Sequence, residues 1–536
     1  MFHQLLTPVG GSLPLSFLIA ALPIAAVLLM LGVLRRPAWQ ASLVGLAAGL
    51  VVAIRLWQLP VGLAVSATLD GVAFALWPIM WVVFGALVLY NVAVQSGRFD
   101  AFRRWVIQHL PNDRRIVLIV VGYCFGALLE GVSGFGAPVA ITASLLIMLD
   151  FKPIDAIVYS LLFNTAPVAF GSLGVPITTL AGVTALPADA LGAMVGRQLP
   201  FFAFFLPFYV IAMYGGLKSV RALFPVILVA GATFALVQFV CSNFVSYVLT
   251  DVLSSLGSLL ATVGFLRIWK PAPDPEFAVG AGPANSVSLA HGAIPPWQGW
   301  IPWAIMCVVV IVWSIFNIPG IGALHIAWPG LDGRVFITLY GKPYAASWNF
   351  QPFATGTAIL LTAILTALSV RMGVRGFLVA MQQAWKQVRL PALTVMAIVG
   401  LAFLMNYSGM AYTLGLGVAS AGALFPLLSA FLGWLAVFLS GSDSSGNALF
   451  GNLQVVAARQ LNLDPVLYAA TNSSGGVMAK MISPQNIATG VATSNLEGQE
   501  GNVFARTFMH SVLLTVLLGV LVWLQQFVWP WMIPGH

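Results

Sequence analysis

The sequence predicts an all-α polytopic membrane protein built from two related halves. Three observations carry that expectation: charge is scarce, apolar runs of membrane-crossing length recur throughout, and motifs repeat in order. Of 536 residues, 60% are hydrophobic and 7% charged, where a soluble domain carries roughly a quarter charged. So few charges do not cover a water-soluble fold. Apolar runs of about 20 residues, enough to cross a hydrocarbon core, follow one another from end to end. The net charge of +8 does not indicate nucleic acid as a partner, because Lys and Arg fall in short clusters between apolar runs, as the positive-inside bias produces. Cys124, Cys241 and Cys307 lie in apolar runs without paired or metal-type spacing, so neither a disulfide framework nor a metal is expected.

The clusters at Arg35 and Arg36, Arg98 to Arg115, Lys218 and Arg221, Arg267 and Lys270, and Arg371 to Arg389 are assigned to the cytoplasmic side. Span counting agrees with that assignment. Leu13 to Leu34 runs inward, Ala41 to Trp57 outward and Gly71 to Val94 inward again. Phe224 to Val245 with Val248 to Leu266 makes one return trip, and Ile301 to Phe316 with Phe353 to Val370 another. The amino terminus, with no Lys or Arg before Arg35, lacks the charged start of a cleavable signal and is expected in the periplasm. Arg98 to Leu110 and Arg371 to Arg389 mix basic with bulky apolar residues and are expected to lie as helices in the membrane interface.

The resulting order has N-terminal membrane helices over 1–70 and a first repeat over 71–216, followed by membrane helices over 217–270. A Pro- and Gly-rich cytoplasmic linker over 271–300 divides the chain. Membrane helices with a periplasmic loop over 301–370, a second repeat over 371–508 and a C-terminal membrane helix over 509–536 complete it.

The halves match weakly but in order, the pattern that marks internal repeats. GALVLYN from Gly85 parallels GLAFLMN from Gly400, and each is followed by Ser-Gly. EGVSGFG from Glu130 shares a Gly-x4-Gly frame with SGSDSSG from Ser440. Asp155, Tyr159, Asn164 and Pro176 then parallel Asp464, Tyr468, Asn472 and Pro484, with the same Asn-x11-Pro spacing. The helix ending near Asn91 runs toward a basic cluster while its counterpart before Asn406 runs away from one, so the repeats are expected to be inverted. Inverted repeats with interrupted helices are a recurring plan of secondary transporters, which hold solute near the membrane midplane.

Ile116 to Phe151 is apolar apart from EGVSGFGAP, and at about 1.5 Å per residue it is too long for one crossing. It is expected to form a re-entrant hairpin with Ser133 and Gly134 at its tip. Ala411 to Ala458, with SGSDSSGN inside, is expected to form a second. The segments from Asn164 and Asn472 read as two broken helices. Non-helical backbone at membrane depth is tolerated only where protein or a wet cavity satisfies it, and exposed helix amino termini attract anions. Asn164, Thr165, Ser442, Ser444, Asn472, Ser473 and Ser474 are therefore candidates to orient a small carboxylate. Small and hydroxyl residues also serve plain helix packing, and Tyr159 and Tyr468 are assigned to packing.

Glu130, Asp443 and Lys480 fall within membrane segments at those breaks, where ionisable groups are costly and mark function by default. Lys480 is expected to attract the solute carboxylate. Glu130 or Asp443 is expected to take up a proton, because desolvation disfavours carboxylate charge. The bland alternative is a neutralising pair that only holds elements together, for example Lys480 with Asp443. Asp155, Asp464 and Arg459 sit at span ends and read as interface anchors. No Walker loop, His-Glu-x-x-His or nucleophile elbow is present, so neither an enzyme nor an ATP-driven pump is expected, and no cofactor. Sodium coupling remains open, because Asn, Ser and backbone carbonyls at helix breaks equally suit Na⁺.

At these segments the sequence resembles the bacterial lactate permease family, which includes glycolate permeases. The stretches that carry the resemblance are LLEGVSGFGAPVAI from Leu128, NTAPVAFGSLGVPI from Asn164, GRQLPF from Gly196, FATGTAIL from Phe353, FLGWLAVFLSGSDSSGNALFGNLQ from Phe431 and NSSGGVMAKMISPQNIA from Asn472. The resemblance implies proton-coupled symport of L-lactate and related 2-hydroxy monocarboxylates such as glycolate across the bacterial inner membrane. It also implies a scaffold, a mobile transport domain and a homodimer. SDSSGNALFGN stands where the family pattern reads SDTSSNALF, and Ala479 where glycine is common, so the pocket departs from that pattern in detail.

Overall fold

A computed structural model describes residues 1–30, 34, 36–132, 137–278, 294–316, 318–493, 496 and 499–535. Among them, nine helices are long and apolar enough to cross a membrane, and two further pairs of shorter helices pass the same test together across a bend. Large apolar side chains such as Leu18, Val51, Phe205, Phe244 and Leu517 are exposed on the outer helices. That much contiguous apolar surface needs a lipid solvent. The chain is a multi-pass, all-α membrane protein.

The helices follow the apolar runs: Leu13–Leu28, Ala38–Arg55, Phe224–Phe244, Thr250–Ile268, Ile301–Ile315 and Thr355–Ser369, whereas Val61–Gln95 starts well before the expected Gly71 and is kinked at Trp77. Helix Val374–Ser408 packs on Ala38–Arg55 and on Val61–Phe74. Glycines permit the approach, since a Cβ on Gly71 would meet the Val399 carbonyl at 2.7 Å. Arg371 to Arg389 does not form a separate interfacial helix. Residues from Val374 onward are the first turns of the 35-residue helix Val374–Ser408, which runs on through Pro391. At about 1.5 Å per residue it is about 52 Å long, well beyond a hydrocarbon core. Arg98–Gln108 is a separate helix.

Arg114–Val132, with a π-helical stretch at Leu118–Phe125, packs against Ala137–Met148 as the two arms of a hairpin. The first arm is wholly buried. Ser133 and Gly134, expected at its tip, lie outside the described residues. In the second half the arms are Phe425–Ser440 and Asp443–Gln460, a shorter hairpin than Ala411 to Ala458. Met410–Ala419 is a separate helix, bent by 98° from the arm that follows. The reason is length: the 30 residues from Ala411 to Ser440 would make an arm of about 45 Å. Gly422, at φ +55, sits at the bend.

Two interrupted helices follow the hairpins. Pro153–Phe163 is bent by 64° from the helix that continues to Thr184. Inside the second member Ser172, Leu173 and Gly174 are all left-handed, at φ 46, 58 and 77. For the two non-glycines that conformation costs about 1–2 kcal/mol each. The second break falls within the expected segment from Asn472 to Pro484, at its far end. Pro465–Ala479 runs unbroken through Asn472, Ser473 and Ser474, and the interruption is a 3-10 turn at Lys480–Ile482 before Pro484–Thr493.

Helix Pro465–Ala479 lies backbone to backbone on hairpin arm Phe425–Ser440. A Cβ on Gly433 would meet the Asn472 carbonyl at 2.0 Å, and one on Gly475 the Ala430 carbonyl at 2.2 Å. Strands were not expected, but two small sheets form at one end. Phe2–His3 pairs in parallel with Val335–Phe336, and Leu324–Ala327 pairs antiparallel with Ser347–Phe350.

Candidate functional site

The hairpins and breaks converge crosswise. Glu130, near the end of the first hairpin arm, forms an ion pair with Lys480 of the second break, Nζ to Oε1 2.6 Å. Asn447 of the second hairpin donates to the Pro176 carbonyl at the first break, 3.2 Å. Each half thus closes the other's interruption. Around the ion pair lies a cavity of ≈ 40 Å³, enough for a few water-sized groups. Its walls include Ser172 and Pro176 from the first break, Ser442, Asp443 and Ser444 from the second hairpin, and Gln485 beside Lys480.

Three helix starts face this cavity. One is at Asp443, capped by Ser442, one resumes after Gly174, and one begins at Pro484. Their amino-terminal dipole ends add to the lysine charge. Glu130 occupies the lysine, and Asp443 is the second acid in the walls.

The two acids are seated on glycines. Glu130 Oε1 lies where a Cβ on Gly171 would come within 2.9 Å, and Asp443 Oδ1 where one on Gly476 would come within 2.5 Å. Asn164 Nδ2 donates to Glu130 Oε2 at 3.0 Å. Ser473 Oγ donates to Asp443 Oδ2 at 2.5 Å, and Asn447 Nδ2 to the same oxygen at 3.4 Å. Asp443 Oδ1 is buried with no partner among the described residues. Lys480 pairs with Glu130, so the alternative pairing of Lys480 with Asp443 is not the one observed.

The remaining candidates divide into two groups. Ser442 and Ser444 line the cavity, and Thr165 Oγ1 and Ser474 Oγ are buried without a partner among the described residues. Asn472 is occupied elsewhere: its Nδ2 donates to the Gly446 carbonyl and to Asn447 Oδ1, and its Oδ1 accepts from Gln454 Nε2 at 3.0 Å. It ties helix Pro465–Ala479 to the hairpin. Asp155 pairs with Arg506, Asp464 caps its helix, and Arg459 lies over the Tyr340 ring at 5.3 Å. Those three are outside the cavity.

Sequence reasoning missed Gln485 and Ser172, which carry no charge to draw attention, and Asp251. Asp251 is 0% exposed in the first turn of Thr250–Ile268, at a predicted span end where an acid reads as an interface residue. What buries it is the first hairpin arm, which the sequence does not place. Ser442 and Gln485 also border a second cavity of ≈ 210 Å³, lined by Trp39, Pro391, Thr394 and Ser440.

The L-lactate permease family pattern matches residues 16–529. Over 99% of both chains the sequence is 38% identical to the L-lactate permease of Bacillus subtilis (strain 168). It is 39% identical to the L-lactate permease of Escherichia coli (strain K12) over 98% of both. It is 38% identical to the glycolate permease GlcA of the same organism over 99% of both. Among solved structures the chain is similar to the Alcanivorax borkumensis YdaH transporter, at a TM-score of 0.47 and 16% identity over 86% of this chain and 87% of that one. With a family pattern spanning nearly its whole length and relatives of this identity over full coverage, the chain belongs to the L-lactate permease family.

Proposed function

We propose that the protein is a proton-coupled symporter of L-lactate and related 2-hydroxy monocarboxylates, glycolate among them, in the bacterial inner membrane with its amino terminus in the periplasm. The observation that carries the reading is the buried Lys480–Glu130 pair, set in a cavity that three helix starts face. A monocarboxylate takes the place of Glu130 on Lys480, while Ser442, Ser444 and the first-turn amides orient its other oxygens. Glu130, deprived of its cation, then takes up a proton, and Asp443 is the second proton-coupling acid. The charge added by the anion is cancelled at the site, so one proton accompanies each solute.

Alternating access follows from the cross-closure of the two halves. The second cavity, reached past Ser442 and Gln485 beside Trp39 and Pro391, is the cytoplasmic vestibule, because Arg36 and Arg389 flank its helices. Motion of the hairpins relative to helix Val374–Ser408 closes it and opens the opposite side.

Sodium coupling is the second reading, and one observation favours it: Asn164 Oδ1 and Thr165 Oγ1, adjacent at the first break, are both buried without a partner among the described residues. Uptake of labelled L-lactate into proteoliposomes under an inward proton gradient, with sodium present or replaced, separates the two. Accumulation that ignores sodium and collapses with the gradient is expected, and glycolate competes. Accumulation that needs sodium and survives loss of the gradient assigns the break to Na⁺ instead.

A further inference from the structure

Asp251 is a carboxylate with an unexplained environment. It is 0% exposed, and neither oxygen has a hydrogen-bond partner among the described residues. An acid in a first helical turn ordinarily complements the helix dipole, but that role needs an amide contact or solvent, and neither is present. Among the described residues no cation is paired with it. A bare carboxylate is costly in such a place, which makes the group a candidate to carry a proton.

The placement is informative. Gly131, next to Glu130 in the chain, lies against Asp251: a Cβ there would come 3.1 Å from Oδ2. Glu130 itself is paired with Lys480. The other titratable groups around it carry no charge to pair with. The hairpin arm brings Tyr123, whose hydroxyl donates to the Ala203 carbonyl, and Cys124, which contacts Ser258. Helix Phe224–Phe244 brings Cys241 alone, and the helix from Gly171 to Thr184 brings none. Asp251 lies 16 residues, or about 24 Å of helix, from Arg267 at the basic end of its own helix. It is therefore on the side of the site away from the vestibule at Trp39 and Pro391.

We propose that Asp251 relays the coupled proton to Glu130 from the outer side. This rests on the proton-symport reading. As the solute carboxylate displaces Glu130 from Lys480, the O–H bond of Asp251 breaks and one forms on Glu130. Asp251 is then reprotonated from water on the outer side, so the net change is one proton gained by the site. The relay serves net transport only, because exchange of one bound lactate for another moves no net proton.

The test compares two fluxes in proteoliposomes, net uptake under a proton gradient and lactate counterflow at equal pH. In Asp251→Asn, net uptake falls by about a hundredfold or more, the scale of a lost proton-transfer group. Counterflow stays near wild type, and Asp251→Glu regains most of the net uptake. Unchanged net uptake in Asp251→Asn overturns the relay and leaves symport standing, and so does an equal fall of both fluxes. In the unsubstituted protein, counterflow without any gradient-driven uptake overturns the symport reading itself. If Asp251→Asn does not reach the membrane, Asp251→Glu decides. Its net-uptake profile shifts along the pH axis with counterflow unchanged, and an unshifted profile overturns the proposal.

Discussion

A cation and a carboxylate held 2.6 Å apart and about 5% and 3% exposed cost several kcal/mol each to desolvate, and their attraction only offsets that cost. Such a pair is poor as a strut but good as an exchangeable contact, because an incoming carboxylate replaces Glu130 without leaving Lys480 bare. Lys480→Ala is expected to abolish uptake and to cost about 3–5 kcal/mol of stability through the stranded Glu130. Adding Glu130→Gln is expected to restore the thermal unfolding temperature without restoring uptake. Uptake by the double variant would remove Lys480 from the solute site. At the second acid, Gly476→Ala places a methyl 2.5 Å from Asp443 Oδ1 and from Val437 Cγ2. Overpacking of this kind costs about 1–3 kcal/mol. Uptake is expected to fall although the substituted residue touches no solute, and wild-type uptake would show that the seat of Asp443 is immaterial. Glu130, Asp443 and Lys480 were legible in the sequence because charge inside an apolar run stands out. Asp251 was not, since its burial is created by a hairpin arm 120 residues earlier in the chain.

At the scale of elements, the first hairpin is anchored at its base. Arg115 is buried and binds Asp113 at 2.7 Å and Asp274 at 3.2 Å. It also donates to Ser219 and lies over the Phe277 ring at 4.2 Å. The start of the linker is thereby clasped to the hairpin and to helix Leu199–Ala222. Arg115→Ala strands Asp113 and is expected to lower stability by about 3–5 kcal/mol, read as thermal unfolding in detergent. Arg115→Lys, which keeps the charge but loses the planar fork, is expected to recover only part. Full recovery by lysine would mean that charge alone holds the clasp.

Helix positions were legible from apolar run length, and the ends of Phe224–Phe244 and Thr355–Ser369 fall within two residues of the runs. The fate of Arg371 to Arg389 was not. An amphipathic basic segment has the same pattern whether it lies in the interface or prolongs a span, and here continuity with Val374–Ser408 decided. The sequence marked the segment from Asn472 to Pro484 as broken but not the point within it. Asn472 finds Asn447 and Gln454 as partners, so the helix persists through it and breaks at Lys480.

For the molecule as a whole, charge movement separates the mechanisms. A lone lactate anion moving inward against a potential of 100 mV faces about 2.3 kcal/mol, a factor of roughly 50 against accumulation. One proton per anion removes that opposition, as expected if Glu130 is neutralised whenever lactate occupies Lys480. The direct measurement is the simultaneous flux of labelled L-lactate and protons in proteoliposomes, with transported charge recorded electrically. Equal fluxes of lactate and protons with no net current are expected. A sustained current during uptake, or lactate flux without proton flux, would contradict the account.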